Sequence, residues 1–167
     1  ILHSGSMIDD VTSTDGRKQV TLSSAASLSV DQVMAATGRR PNTAGLGLDA
    51  VGVTTGQQGE IIVDAESRTS VPSIFAIGDV TNRINLTPVA IAEGHAFADS
   101  EFGGKKRIAD HANVASAVFS QPPIASVGLT ETEAKAAFGA IIVFITGFRA
   151  MKNTISGRDE KTFMKLI

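Results

Sequence analysis

The stretch Ile74-Phe75-Ala76-Ile77-Gly78-Asp79-Val80 decides the fold, and Leu86-Thr87-Pro88-Val89-Ala90 follows it closely. An apolar run typical of a strand ends at Gly78, where another backbone or a ligand can approach, and Asp79 follows at the carboxyl end. The threonine and proline of the second stretch indicate a helix start, with threonine as N-cap and proline as the first helical residue. Together they predict a carboxylate that accepts ligand hydroxyls beside the positive end of a helix.

Hydrophobic patterning and turn residues predict further strands and helices along the chain. Strands are predicted at 17–22 (after a turn at 14–16), 32–37, 60–64, 73–78, 115–119, 126–129, 141–148 and 162–167. One helix is predicted at 88–102, ended by Gly103-Gly104. A second is predicted from Thr130, because Thr130 and Glu133 have the spacing of a capping box.

Composition excludes several classes of partner. Charged residues make up 19% of the chain and the formal net charge is -2, so there is no basic field for nucleic acid or anionic lipid. The chain has neither an apolar run of membrane-spanning length nor a signal-like start. Its three histidines, His3, His95 and His111, lack ligand spacing, so we expect no metal site.

One glycine motif matches a dinucleotide-binding pattern, but its sequence context favours a loop. The segment Gly45–Ala50 matches G-x-G-x-x-A, and Asp64 lies near the distance of a ribose-binding acid. However, the motif follows Arg-Pro-Asn-Thr instead of a strand, and no helix pattern comes after it.

Seven sequence blocks follow one another along the chain: TGRRPN (37–42), SRTSVP (67–72), IGDV (77–80), LTPVA (86–90), VFSQPP (118–123), VGLTE (127–131) and MKNTISGR (151–158). Their order and spacing resemble those of glutathione reductases, and their residues are most similar to those of plant and cyanobacterial types. The chain therefore resembles the class I pyridine nucleotide-disulfide oxidoreductase family. This resemblance implies a combined α/β and α+β fold. Residues 1–41 would complete a Rossmann-like NAD(P)H-binding domain, 42–112 would form the closing part of an FAD-binding domain, and 113–167 would begin an α+β dimerisation domain of a homodimer.

The resemblance also implies cofactor contacts for particular residues. The residue matching Asp79 accepts hydrogen bonds from the ribityl chain of FAD, and the residue matching Thr87 lies against the pyrimidine edge of the flavin; Gly78, Leu86 and Pro88 belong to the same site. Without the resemblance, Asp79 would be interpreted as a turn cap and Thr87 as a plain N-cap.

Three other positions have implied ligand roles, each with a simpler alternative. Gly38 would lie near NADPH and Arg39 would bind dinucleotide phosphates, although Arg39 also fits a surface ion pair. His95 stands where several glutathione reductases carry an arginine that binds a glutathione carboxylate. A neutral imidazole cannot form that bidentate contact, so a histidine with no ligand is an equal alternative.

The sequence predicts no catalytic residue in this chain. It contains no cysteine, and the G-x-G-x-x-G flavin fingerprint, the C-x-x-x-x-C motif and the His-Glu pair of the resembling family are absent. We therefore expect an internal piece, inactive alone, of an enzyme that passes electrons from NADPH through FAD to glutathione disulfide and maintains thiol redox homeostasis. Alternatives are a dihydrolipoamide dehydrogenase or mercuric reductase type, or a noncatalytic interaction module. The expected location is cytoplasmic, or the plastid stroma if a transit peptide is present.

Overall fold

The computed structural model describes residues 1–167, which divide into two units, Ile1–Arg39 and Arg40–Ile167. The first unit is an antiparallel meander of β1 (Ile8–Thr14), β2 (Arg17–Leu22) and β3 (Ser27–Val30). Asp15 and Gly16 both have positive φ, as a two-residue hairpin requires. The predicted turn and strand 17–22 are confirmed, whereas β1 and β3 were not predicted.

The predicted buried strand at 32–37 is wrong. Residues 32–40 adopt no regular secondary structure, and every residue from 31 to 40 is exposed. An apolar run forms a strand only where a second strand satisfies its backbone groups. No strand of this chain pairs with 32–37.

The second unit begins with an irregular segment folded around a small core. Val53, Ile61 and Ala76 are buried together, and the flanking apolar residues Leu48, Val63, Val71, Ile74 and Val80 pack against them. The strands predicted at 60–64 and 73–78 are wrong, because each of these segments forms a single β-bridge, Thr55 with Ile61 and Arg68 with Phe75. The backbone is satisfied instead by bonds between turns, such as Ala76 N–H to the Ser67 carbonyl at 3.0 Å.

The longest helix, α1 (Thr87–Glu101), confirms the predicted 88–102 helix to within one residue. It buries Val89, Glu93 and Ala96, which form one stripe at helical spacing. Its carboxyl end is fixed by an aromatic chain: the ring of Phe97 lies 4.8 Å from that of Phe75 and 5.7 Å from that of Phe102, between centroids.

The rest of the second unit consists of two hairpins and two short helices: β4 (Ser116–Val118), β5 (Ile124–Ser126), α2 (Glu131–Phe138), β6 (Phe144–Arg149), α3 (Met151–Ser156) and β7 (Lys161–Leu166). The strands pair antiparallel as β4–β5 and β6–β7. The predicted strands at 115–119, 141–148 and 162–167 are confirmed with shifted ends. The strand predicted at 126–129 is wrong, since β5 ends at Ser126; α3 was not predicted.

The capping box of α2 is confirmed. The Glu133 N–H donates to the Thr130 hydroxyl at 3.3 Å, and the Thr130 N–H donates to the Glu133 carboxylate at 2.8 Å. The chain as a whole is thus a mixture of helices and small antiparallel sheets. None of its helices is long and apolar enough to cross a membrane.

Candidate functional site

Gly78 and Asp79 open a 3₁₀ turn, Gly78–Thr81, that starts directly after the extended residue Ile77. Gly78 has φ +71° and is buried, whereas the side chain of Asp79 is exposed. The Thr81 hydroxyl donates to the Gly78 carbonyl at 2.8 Å, and the Asn82 N–H donates to the Asp79 carbonyl at 3.1 Å. The turn therefore fixes the backbone of Asp79 while its carboxylate stays accessible.

The turn packs against the amino-terminal half of α1. A Cβ atom built at Gly78 would lie 3.0 Å from the Cβ of Ala90, which is closer than ordinary carbon contacts. Positive φ and close packing together require glycine at position 78.

A buried carboxylate of α1 holds the same turn. The Gly78 N–H donates to Glu93 Oε2 at 2.6 Å, and Glu93 is only 1% exposed. Glu93 Oε1 accepts from Arg83 Nη2 at 2.8 Å and lies 2.7 Å from His111 Nε2. Burial by itself raises the pKa of Glu93, but the hydrogen bonds from Gly78 and His111 and the charges of Arg83 and His111 hold that pKa below its ordinary value.

Sequence reasoning missed Glu93, Arg83 and His111 as members of this site. The available signal was the position of Glu93, four residues after Val89 and three before Ala96, in the middle of the apolar stripe of α1. A carboxylate at such a position must have partners, because burying an unpaired charge is strongly unfavourable.

The start of α1 differs from the prediction by one residue. Leu86 is the N-cap, Thr87 is the first helical residue and Pro88 the second, and no side chain caps the helix. Threonine therefore does not act as N-cap. Thr87 and Pro88 are exposed, Leu86 is half-buried, and the first turn contains no acidic residue. The positive end of the helix dipole thus has no carboxylate from its own first turn to balance it.

The other predicted site residues are all exposed. Gly38 has φ +120°, and a Cβ atom added there would have no other atom within 4 Å. Arg39 belongs to none of the ion pairs of the chain, and both residues lie in the first unit. His95 is exposed on α1, two residues from Glu93. The structure therefore brings Gly78 and Asp79 against α1, and it leaves Gly38, Arg39 and His95 open to solvent.

The G-x-G-x-x-A segment forms a turn that runs into a short 3₁₀ helix, Asp49–Val51. No strand lies directly before it and no α-helix directly after it. It therefore lacks the strand–turn–helix context that binds a dinucleotide, as the sequence predicted.

Two family models match the chain. The model described as pyridine nucleotide-disulphide oxidoreductase matches residues 1–94, and the model of the dimerisation domain of those proteins matches residues 114–167.

Glutathione reductases are among the most similar curated proteins. The enzyme of Burkholderia cepacia is 55% identical over 152 residues, which cover 91% of this chain and 34% of that protein. The chloroplastic/mitochondrial glutathione reductase of Pisum sativum is 56% identical over 135 residues, covering 81% of this chain and 24% of that protein. The trypanothione reductase of Trypanosoma congolense is 52% identical over 153 residues, covering 92% of this chain and 31% of that protein.

A similar fold occurs in a solved structure, the HOCl-induced flavoprotein disulfide reductase RclA from Escherichia coli. It matches with a TM-score of 0.82 and 28% identity, over 95% of this chain and 37% of that one. The predicted fold class is confirmed by this match and by the two family models. The chain spans between about a quarter and a third of the length of these curated relatives.

Proposed function

This chain belongs to the pyridine nucleotide-disulphide oxidoreductase family, and from this premise we propose that it forms part of an FAD-dependent NADPH:glutathione-disulfide oxidoreductase. Its similarity to glutathione reductases at 55% and 56% identity supports this choice within the family. The proposed role is maintenance of the thiol redox balance. The observation that carries the proposal is the Gly78–Asp79 turn fixed against α1.

The geometry of this turn fits the flavin cofactor. Asp79 offers an exposed carboxylate on a fixed backbone, which suits it to accept hydrogen bonds from ribityl hydroxyls. Thr87 and Pro88, next to Leu86, form an exposed helix start that favours negative charge on a neighbouring group. When bound, FAD supplies a ring that takes up a hydride, and the residues of this chain bind and orient it.

We assign Gly38 and Arg39 to the nicotinamide cofactor, NADPH. Arg39 is exposed and unpaired, so its guanidinium is free to bind phosphate oxygens. With this assignment, residues 1–41 belong to the NADPH-binding domain, 42–112 to the FAD-binding domain and 113–167 to the dimerisation domain.

The thiol chemistry must come from outside this chain, which contains no cysteine. Because a disulfide is reduced through thiolate attack, a polypeptide without cysteine cannot exchange electrons with glutathione disulfide in this way. We propose that this chain acts within a longer polypeptide, to which it contributes cofactor contacts and dimer-forming surface but no catalytic residue.

The proposed dimer surface lies in the carboxyl-terminal part of the chain. Large apolar side chains there are well exposed, among them Val118, Phe119, Phe144, Phe163 and Leu166. Apolar surface on this scale is typical of residues that pack against another part of a protein or a partner subunit. With the match of residues 114–167 to the dimerisation domain model, this supports a homodimer.

Trypanothione disulfide is a second candidate substrate. The trypanothione reductase of T. congolense is 52% identical to this chain, close to the identity of the glutathione reductases. His95 does not by itself favour glutathione disulfide, because its exposed imidazole cannot form the bidentate contact that an arginine makes with a carboxylate. Initial rates of NADPH oxidation by the full-length enzyme with glutathione disulfide, trypanothione disulfide or lipoamide distinguish the candidates. Equal or greater kcat/KM for lipoamide would favour the dihydrolipoamide dehydrogenase alternative.

The cofactor role is tested by Asp79→Ala in the full-length protein. We expect the flavin dissociation constant to rise on the order of tenfold, since the variant loses charge-assisted hydrogen bonds. Asp49→Ala is the matched control, because Asp49 is also an exposed acid in a 3₁₀ turn but lies outside the site. Unchanged flavin occupancy of Asp79→Ala after gel filtration would refute the ribityl contact. Subcellular fractionation decides between the cytoplasmic and plastid locations.

A further inference from the structure

Glu93 is a charged residue within the buried stripe of α1, where burial makes a charge unfavourable. It is 1% exposed, and it is the largest side chain that is fully buried. A buried ion pair seldom stabilises a fold more than apolar residues of the same volume do. Stability alone is therefore a weak reason for a carboxylate at this position, and its contacts suggest another one.

The two oxygens of Glu93 join different segments. Oε2 accepts from the Gly78 N–H at 2.6 Å, and Oε1 accepts from Arg83 at 2.8 Å and lies 2.7 Å from His111. Arg83 lies two residues after the Gly78–Thr81 turn and also donates to the Ser67 hydroxyl at 3.3 Å. One carboxylate thus connects the turn, the loop after it and the segment that leads to β4.

We propose that Glu93 is a positioning residue that sets the place and orientation of the Gly78–Asp79 turn for the flavin, with Arg83 and His111 fixing the carboxylate. This inference rests on the proposed function. The Gly78 N–H is the donor at the point where the chain changes from extended to left-handed backbone. Its bond to Glu93 therefore determines where the next residue, Asp79, presents its carboxylate.

The decisive variant is Glu93→Gln in the full-length flavoprotein. Glutamine has the same shape but only one acceptor oxygen. It therefore cannot accept a hydrogen bond from Gly78 with one terminal atom and hydrogen bonds from Arg83 and His111 with the other. The matched control is Glu101→Gln, two turns further along the same helix, where the carboxylate pairs with Arg68 at 2.7 Å but is 30% exposed.

Two measurements separate positioning from general stability. We expect Glu93→Gln to weaken FAD binding on the order of tenfold, the effect of losing a hydrogen bond to a charged group, and Glu101→Gln to leave it unchanged. In the flavin-free protein, hydrogen exchange should speed up in the peptide that contains Gly78 and remain unchanged in α2. Arg83→Met should weaken FAD binding more than Arg83→Lys does, because the lysine ammonium can still donate to Glu93.

The outcomes distinguish the two proposals. Wild-type FAD affinity in both Glu93→Gln and Arg83→Met would overturn the positioning role and leave the proposed function intact. Faster exchange everywhere in the Glu93→Gln protein would also overturn it, because it would show general destabilisation. A wild-type protein that binds no FAD would overturn both proposals.

Discussion

Gly78→Ala should damage the site through two separable effects. The first is backbone strain: a non-glycine residue in left-handed conformation costs about 1–2 kcal/mol, and Gly78 has φ +71°. The second is overpacking: the new methyl would lie 3.0 Å from the Cβ of Ala90, and an overpacked contact costs about 1–3 kcal/mol. Together they predict a loss of about 2–5 kcal/mol in the free energy of unfolding.

Gly52→Ala supplies the control for backbone strain alone. Gly52 has φ +80°, and nothing lies within 4 Å of an added Cβ, so only the first effect applies. Its expected loss is about 1–2 kcal/mol. The difference between the two losses in the free energy of unfolding measures the cost of the contact with Ala90.

Ala90→Gly tests that contact directly. Glycine within a helix itself costs about 1 kcal/mol, but it removes the methyl that Gly78→Ala would meet. A double-mutant cycle should therefore give a favourable coupling energy of about 1–3 kcal/mol between Gly78→Ala and Ala90→Gly. The assay is urea unfolding of the flavin-free full-length protein, followed by FAD titration. Equal losses for Gly78→Ala and Gly52→Ala, with no coupling, would refute the packing argument.

Three further predictions concern the carboxyl-terminal region and the isolated chain. Hydrogen bonds from Lys135 and Lys165 lower the pKa of Glu131 to about 2. Its ion pairs should therefore be fully formed at pH values above the ordinary pKa of a glutamate and weaken as the pH falls towards 2. An NMR titration measures this pKa, and an unchanged value in Lys165→Met would contradict the argument. Thr130→Ala should cost about 1 kcal/mol of stability by removing the N-cap of α2, measured by denaturant unfolding, with Thr130→Ser as a milder control. The isolated chain should show no NADPH oxidation dependent on glutathione disulfide above a no-protein blank, because it contains no cysteine.

Local chemistry decided which elements the sequence could predict. The capping box of Thr130 and Glu133 is complete within four residues, and the structure contains it as predicted. The hairpin turn at Asp15 and Gly16 is equally local, since two adjacent residues adopt positive φ. Where the determinants lie within one turn, sequence is sufficient.

The failures share a nonlocal cause. The run at 32–37 has strand composition, but strand formation depends on a partner that the run itself does not specify. The run at 73–78 satisfies its backbone through bonds to the turns just before it instead of through a sheet, including the bond between Ala76 and Ser67. The Glu93 network has the same character, because its partners Gly78, Arg83 and His111 lie 15, 10 and 18 residues away.

The roles that we propose for Glu93 in cofactor positioning and for His95 in substrate contact lie on different sides of α1, so substitutions can test them separately. Glu93 and His95 are two residues apart, so they project about 200° apart around the helix axis. Glu93 faces the buried turn and His95 faces solvent. A substitution at His95 therefore leaves the bond between Glu93 and Gly78 in place. Under the proposed positioning role, a change at Glu93 should by contrast shift the turn itself, because it removes the acceptor of the Gly78 N–H.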